Sequence, residues 1–332
     1  MHKLYYIWKN NMNKKISVVV PVFNTEPEYI QVALESLFNQ TLSDIEIIVV
    51  NDGSSAPNTI AYLKELESDK RLKILHQENR GLSEARNTAI DIATGDYIGF
   101  LDSDDWIDNN FYETLYNACT ENHADIACGV LKVVENKTKY NLDKHQTFTT
   151  NNLLDILKNI TNGSVCSKLI KRKLFNNIRF PSGLYYEDNL TLLNLLMAAK
   201  SVSFNNNIFY YYRSNPNSIV HNKKNQTKRV NDSLIILSKI KNIAKQHNKT
   251  NQHAIENTFL RILFMPYEYE NNIEYRTQIN KLFSRKYLQS FFPIQQKKPF
   301  FGKIINKIKR FIFRVQDGHI KIFKITVYKI KG

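Results

Sequence analysis

Asp102-Ser103-Asp104-Asp105 directly follow the apolar run Tyr97-Ile98-Gly99-Phe100-Leu101, which reads as a buried strand. Alternate residues on an extended backbone point to one face, so the carboxylates of Asp102 and Asp104 can converge at the strand's end. Two like charges held that close repel unless a cation or hydrogen-bond donors lie between them. A hard divalent cation with oxygen ligands answers this, and a diphosphate would complete its shell. On the tetrapeptide alone a second answer stays open: a solvated acidic turn in which Asp105 or Asp108 caps the next helix.

The elements that would position these carboxylates recur along the first half of the chain. Strand patterns at Ile16–Val20, Ile45–Val50, Leu72–His76 and Tyr97–Leu101 alternate with helical spacing around Ile30–Phe38, Ile60–Leu66 and Ser83–Gly95. Ile45–Val50 is almost wholly apolar, as a strand covered on both faces should be. The alternation predicts a parallel sheet with helices on both faces. Ligands bind such sheets beyond the carboxyl ends of the strands. Each of the four strand ends here opens into a polar turn: Pro21-Val22-Phe23-Asn24, Asn51-Asp52-Gly53-Ser54, Gln77-Glu78-Asn79-Arg80-Gly81 and the aspartates.

Beyond Asp105 the pattern predicts a helix over Asp108–Glu121, a strand over Ile126–Val134 and a polar loop over Glu135–Thr150. Helices are expected at Cys166–Phe175 and Asn189–Ala199, one or two strands at Val202–Tyr212, and helical, Asn- and Lys-rich sequence after Lys223. The 332 residues are 42% hydrophobic and 23% charged, a globular composition that can bury a sizeable core. No apolar stretch approaches the length of a membrane span. Residues 1–14 read as an N-terminal extension too polar for a secretory signal, with Met12 as an alternative start. Three cysteines, Cys119, Cys128 and Cys166, lack metal-ligand spacing and fit a reducing, cytoplasmic setting.

Several segments in this order resemble bacterial family 2 glycosyltransferases of the GT-A fold. They are Val18-Val19-Val20-Pro21-Val22-Phe23-Asn24, Ser36-Leu37-Phe38-Asn39-Gln40-Thr41, Glu46 to Ser54, Asn79 to Asn87, Gly95 to Asp105, Tyr185-Tyr186-Glu187-Asp188 and Tyr210-Tyr211-Tyr212-Arg213. The match runs from about Lys15 to about Ile219. The resemblance implies a nucleotide-diphosphate sugar donor, a divalent metal (Mn²⁺ or Mg²⁺) and inversion at the anomeric carbon. Carried over residue by residue, Asp52 would contact uracil or ribose. Pro21 and Asn24 would line the nucleoside pocket, and Arg86 would meet the phosphates or the base. Asp102 would hold the ribose or the donor sugar, and Asp104 would ligate the metal. Phe23, Arg80 and Ser103 lie in the same segments and are counted with the donor-binding residues.

The resemblance makes Asp188 the catalytic base, with Glu187 beside it. The bare sequence also allows these two acids simply to open the helix that follows, favoured by its dipole. Some related enzymes place a late histidine on the metal, and His221 stands at a fitting distance; a surface histidine is the other reading. The chain departs from the family pattern in three places. Ser55-Ala56-Pro57 follows Asp-Gly-Ser, one residue is added near Thr25-Glu26-Pro27, and Val165-Cys166-Ser167 replaces an aromatic before Lys168-Leu169.

The net charge is +15, and Lys297–Gly332 holds eleven Lys or Arg against one acid, Asp317. Phe300, Phe301, Ile304, Ile305, Ile308, Phe311, Ile312 and Val315 share one helical face and Lys303, Lys307, Arg310 and Arg314 another. This pattern suits a helix lying in an anionic membrane interface, or one docked on the catalytic domain with its basic face in water. A nucleic-acid partner is not expected, since no nucleic-acid fold accompanies the charge.

The expected fold is therefore α/β of GT-A type, a mostly parallel nucleotide-binding sheet flanked by helices with a helical, basic C-terminal extension. Its expected divisions are a donor half at 15–105, an acceptor half at 106–222 and the extension at 223–332. The expected function is transfer of a hexose or N-acetylhexosamine from a UDP-type donor to a glycan or lipid-linked acceptor, at the inner membrane face, in surface polysaccharide or lipooligosaccharide synthesis. A nucleotidyltransferase would need a Gly-rich, Lys/Arg-bearing loop after the first strand, and Pro21-Val22-Phe23-Asn24 is not one. An inactive nucleotide-sugar-binding scaffold would not need Asp102, Asp104 and Asp188 together.

Overall fold

The computed structural model describes residues 15–134, 147–214, 223–264, 269, 271–284 and 287–288. Four parallel strands form its first half: β1 (Ile16–Val22), β2 (Ile45–Asp52), β3 (Leu72–Gln77) and β4 (Tyr97–Phe100). They stand in the order β3-β2-β1-β4 and are connected by helices α1 (Pro27–Phe38), α2 (Pro57–Leu66) and α3 (Leu82–Ile92). Val18, Val19, Val20, Ile48, Val49 and Val50 are fully buried, because helices cover both faces of the central strands. At the edge, β3 buries neither face completely. Pro27 and Pro57 open α1 and α2, where a missing N–H costs nothing.

The sheet continues into a mixed half. Helix α4 (Phe111–Glu121) follows the two-residue strand β5 (Trp106–Ile107) and leads to β6 (Ile126–Val134). After β7 (Phe148–Thr150), helix α5 (Leu153–Asn159) precedes β8 (Lys168–Lys171), a short 3-10 helix, α6 (Glu187–Ala198) and β9 (Val202–Arg213). The full order is β3-β2-β1-β4-β8-β6-β9-β5, with β7 paired to β9. Strand β8 runs antiparallel to both β4 and β6, while β6 and β9 are parallel.

The helix expected over Cys166–Phe175 is instead β8 and the 3-10 helix Arg172–Asn176. Four residues are too few to show a period, and pairing on both sides decides the conformation. The segment expected as a loop to Thr150 ends in β7, and its remainder, 135–146, lies outside the described residues.

Helices α7 (Gln226–Ala244), α8 (Lys249–Leu263) and α9 (Ile273–Leu282) follow the sheet. The chain up to Leu282 forms one compact unit and a second begins at Phe283. Helix α8 bonds directly to the sheet domain. Thr258 Oγ1 donates to Leu157 O at 3.1 Å and Arg261 Nη2 to Ile160 O at 3.0 Å. No helix among the described residues is long and apolar enough to cross a membrane. His221 and Lys297–Gly332 lie outside the described residues, as do residues 1–14.

Candidate active site

The four parallel strands end together, and their polar turns are bonded to one another. Pro21 is buried within β1, while Phe23 just beyond it is 50% exposed. Asn24 adopts a left-handed conformation at φ 50°. Its Oδ1 accepts from the backbone N–H groups of Ser55 and Ala56 at 2.7 and 2.8 Å, and its own N–H donates to Ser54 Oγ at 3.0 Å. Asn24 therefore joins the first turn to the second and satisfies donors just ahead of α2. Gly53 sits at φ 69°, and a Cβ there would stand 2.5 Å from the backbone nitrogen of Asn79. Only glycine allows the second and third turns to approach this closely.

Asp52 is 3% exposed and its carboxylate is fully engaged. Oδ1 accepts from Gln77 Nε2 at 2.6 Å and from the Arg80 N–H at 2.9 Å; Oδ2 accepts from the Gly81 N–H at 2.8 Å. The carboxylate thus anchors the turn that opens α3, where negative charge suits the helix N-terminus. Arg80 itself is exposed, its guanidinium 3.1 Å from Gln77 Oε1.

In the aspartate turn, Ser103 and Asp105 are buried and Asp102 and Asp104 half-buried; the strand has ended at Phe100, and the Asp105 N–H donates back to Asp102 O at 3.1 Å, so a turn and not an extended strand end sets this alternation. The Ser103 hydroxyl is 2.8 Å from that of Thr25, tying this turn to the first. The Asp102 N–H donates to Tyr210 Oη at 3.1 Å, and Tyr210 Oη donates to Asp105 Oδ2 at 2.6 Å. Asp105 Oδ1 accepts from the Arg213 N–H at 2.7 Å, and Arg213 Nε donates to Asp104 O at 2.8 Å. The Arg213 guanidinium lies over the rings of Tyr29 and Trp106, 4.5 and 4.8 Å from their centroids. Arg213 was legible only as the end of the Tyr210-Tyr211-Tyr212 run; its place against the aspartates needed the β9 pairing.

Burial and the neighbouring Asp102 charge push the Asp104 carboxyl up to about 6, against the pull of its own backbone N–H and Arg213. A divalent cation beside Asp104 would relieve the repulsion from Asp102, and the two carboxylates offer it hard oxygen ligands. Among the described residues no group of three or more His, Cys, Asp or Glu stands ready to hold a metal alone. Asp104 and Asp102 therefore fit a metal whose remaining ligands come from elsewhere, as a diphosphate would provide.

Arg86 links this turn to the second acidic pair. It is 2% exposed; Nη1 donates to Glu187 Oε1 at 2.8 Å and Nη2 to Asp102 Oδ1 at 2.9 Å. Arg86, expected at the phosphates or the base, forms an internal bridge here, each terminal nitrogen donating to a carboxylate. Glu187 is correspondingly buried at 6%. Asp188 remains half-buried, its Oδ1 accepting from Asn189 Nδ2 at 3.0 Å. Both acids sit in the first turn of α6, entered through Tyr186 in a left-handed conformation at φ 63°. Burial raises both carboxyls above the usual carboxylate range. Asp188 adds to the rise at Glu187, while Arg86 opposes it at both.

The Glycosyl transferase family 2 profile matches residues 17–179. The chain is 32% identical to the putative glycosyltransferase EpsH of Bacillus subtilis over 74% of each chain. It belongs to glycosyl transferase family 2. The chain is also 36% identical to the uncharacterized glycosyltransferase EpsJ of the same organism, over 61% of its own length and 62% of the relative's. It thus spans less than two thirds of that relative. The crystal structure of Staphylococcus aureus TarS 1–349 in complex with UDP-GlcNAc superposes with a TM-score of 0.64 at 22% identity, covering 84% of this chain and 82% of that one. That likeness establishes the GT-A fold.

Proposed function

We propose that this chain is an inverting, metal-dependent glycosyltransferase that moves a hexose or N-acetylhexosamine from a UDP-sugar to a hydroxyl of a glycan or lipid-linked acceptor. Surface polysaccharide or lipooligosaccharide synthesis would be its setting, at the cytoplasmic face of the inner membrane. The observation that carries the reading is the Asp102–Arg86–Glu187 bridge. It ties the half-buried Asp102 of the aspartate turn to Glu187, the neighbour of the half-buried Asp188. A TarS structure holds UDP-GlcNAc and other relatives are called glycosyltransferases, which supports a nucleotide-sugar donor.

In this reading Asp104, with Asp102, would hold the divalent cation, which when bound neutralises charge developing on the leaving diphosphate. Phe23, on the rim of the first turn, offers an exposed aromatic face to the nucleoside, and the exposed Arg80 offers a positive charge. Asp52 and Asn24 act one step back by shaping the turns. Asp188 takes the proton from the attacking hydroxyl, and burial aids it by raising its proton affinity toward neutral pH. Glu187 keeps Arg86 in place and stays out of the proton transfer.

UDP release from full-length protein, with UDP-glucose, UDP-galactose and their N-acetyl forms and with Mn²⁺ or Mg²⁺, tests this. Release should require the metal and disappear in Asp104→Ala. Asp188→Asn should still bind UDP and lose turnover by about 10²-fold or more. Metal-independent release, or full turnover by Asp188→Asn, would overturn the assignment.

A further inference from the structure

Asn189 follows the proposed base and is buried at 4%, yet its Oδ1 has no hydrogen-bond partner. A buried amide oxygen left unmatched costs free energy, so something must hold the side chain in that orientation. Its Nδ2 donates to two acceptors, Asp188 Oδ1 at 3.0 Å and Tyr186 O at 3.2 Å. Both lie on the side toward the base. Turning the amide over would set its oxygen against a carboxylate and a carbonyl, which is worse than leaving that oxygen alone.

The other side of the amide is closed by Gly163. A Cβ on this buried glycine would fall 1.7 Å from Asn189 Oδ1 and 2.9 Å from Nδ2. The turn bearing Gly163 is itself wound around a buried ammonium. Lys168 is 2% exposed, and its Nζ donates to Ser164 O at 2.5 Å, Ser167 Oγ at 3.3 Å and Asn162 Oδ1 at 3.4 Å. Asn162 Oδ1 also accepts from the Ser164 N–H at 3.1 Å. The three protons of the ammonium are thus spent on this turn.

We propose that Asn189, backed by the Gly163 turn and its Lys168 anchor, is a positioning residue that holds the Asp188 carboxylate in its proton-accepting form and orientation. The inference rests on the assignment of Asp188 as base. The donated amide hydrogen favours the ionised carboxylate, against the burial that disfavours it. Other groups facing Asp188 are Arg86 from α3, Asp102 from the end of β4, Lys168 from β8, and Tyr186 and Glu187 beside it. Arg86 and Lys168 act in the same sense as Asn189, and Asp102 acts against it. Among these described neighbours Asn189 alone donates a side-chain hydrogen bond to the Asp188 carboxylate, and its backbone N–H, which an alanine would keep, acts in the same sense.

The experiment reads Asp188 directly. Full-length protein carrying ¹³C-carboxyl aspartate is titrated by NMR, and the Asp188 signal is assigned by its loss in Asp188→Asn. In Asn189→Ala the midpoint should rise by about one pH unit relative to the parent protein. Gly163→Ala, which pushes the amide aside without removing it, should raise it in the same direction. UDP affinity, measured by calorimetry with Mn²⁺, should stay within about twofold in both variants, since neither residue meets the donor. The acid limb of UDP release from an equimolar mixture of the four UDP-hexoses should move with the NMR midpoint. An Asp188 midpoint unchanged in a folded Asn189→Ala protein would overturn the proposal. Turnover surviving in Asp188→Asn would instead overturn the assignment of the base, while the NMR result would still decide the role of Asn189.

Discussion

Arg86 is the residue on which the two acidic groups depend, and its geometry explains why it has to be arginine. One guanidinium reaches Glu187 with Nη1 and Asp102 with Nη2, in a fixed fork that a lysine ammonium cannot reproduce. Its side chain is 2% exposed and that of Glu187 7%, so removing the cation strands a buried carboxylate. Arg86→Met should cost about 3 kcal/mol or more in urea unfolding. Arg86→Lys should recover part of the stability and little of the turnover, because one acid is left unpaired. A fully active Arg86→Lys would show that the bridge does not position the site. The same bridge sets a pH dependence. Both carboxyls of the Glu187–Asp188 pair are raised by burial, so the base is protonated, and inactive, over a wider acid range than a free aspartate. UDP release should therefore rise with pH along a limb lying above the ordinary carboxylate pKa. Glu187→Gln removes a neighbouring negative charge and leaves Arg86 less neutralised. Both changes favour ionised Asp188, so that limb should move to lower pH by about one unit. A limb that moves upward would contradict the proposed geometry.

At the scale of elements, the site is a set of strand-end turns locked to each other. Asp52 shows how. Its carboxylate, at the end of β2, collects one side-chain and two backbone donors from the third turn and so fixes the start of α3. Asp52→Ala should lose about 2–3 kcal/mol of stability, the worth of charged hydrogen bonds left unmade. It should also weaken UDP binding, measured by calorimetry, through displacement of Arg80. Unaltered affinity would mean that the third turn does not touch the donor. The parallel half of the sheet was readable because its signals are local. Val18–Val20 and Ile48–Val50 are continuous apolar runs, and each ends in a turn whose Gly or Asn has a definite backbone task. Asp102 and Asp104 were expected on an extended strand end, but the strand stops at Phe100 and a turn carries them. The mixed half was harder, because β8 is four residues long and owes its form to β4 and β6 on either side. Lys168, a charged residue that sequence reasoning places on a surface, is buried there with all its hydrogen bonds supplied by one turn. The unmatched oxygen of Asn189 and the bridging role of Arg86 had no sequence signal, since each depends on residues distant along the chain, Gly163 for Asn189 and Asp102 and Glu187 for Arg86.

For the whole molecule, the fold extends the catalytic unit past the sheet. Asp232 on α7 accepts from the Tyr185 N–H at 2.8 Å, and Lys228 donates to Gly183 O at 2.6 Å, so α7 holds the segment leading into Glu187 and Asp188. The described site residues lie within the unit up to Leu282, and a second unit begins at Phe283. Charge suggests a task for its basic end. Of the net +15, a surplus of ten lies within Lys297–Gly332, and the apolar residues of Phe300–Val315 repeat at helical spacing. Basic residues near an anionic bilayer contribute on the order of 1 kcal/mol each, and apolar side chains add to that by entering the interface. Full-length protein should therefore sediment with vesicles rich in phosphatidylglycerol. Raising the salt from 0.1 to 0.5 M should release part of it, since screening removes only the electrostatic share. Protein ending at Gln296 should stay in the supernatant with vesicles while its UDP release in solution is retained. Equal sedimentation of the two forms would assign the basic segment to packing within the protein, and loss of UDP release by the shorter form would make it part of the catalytic unit.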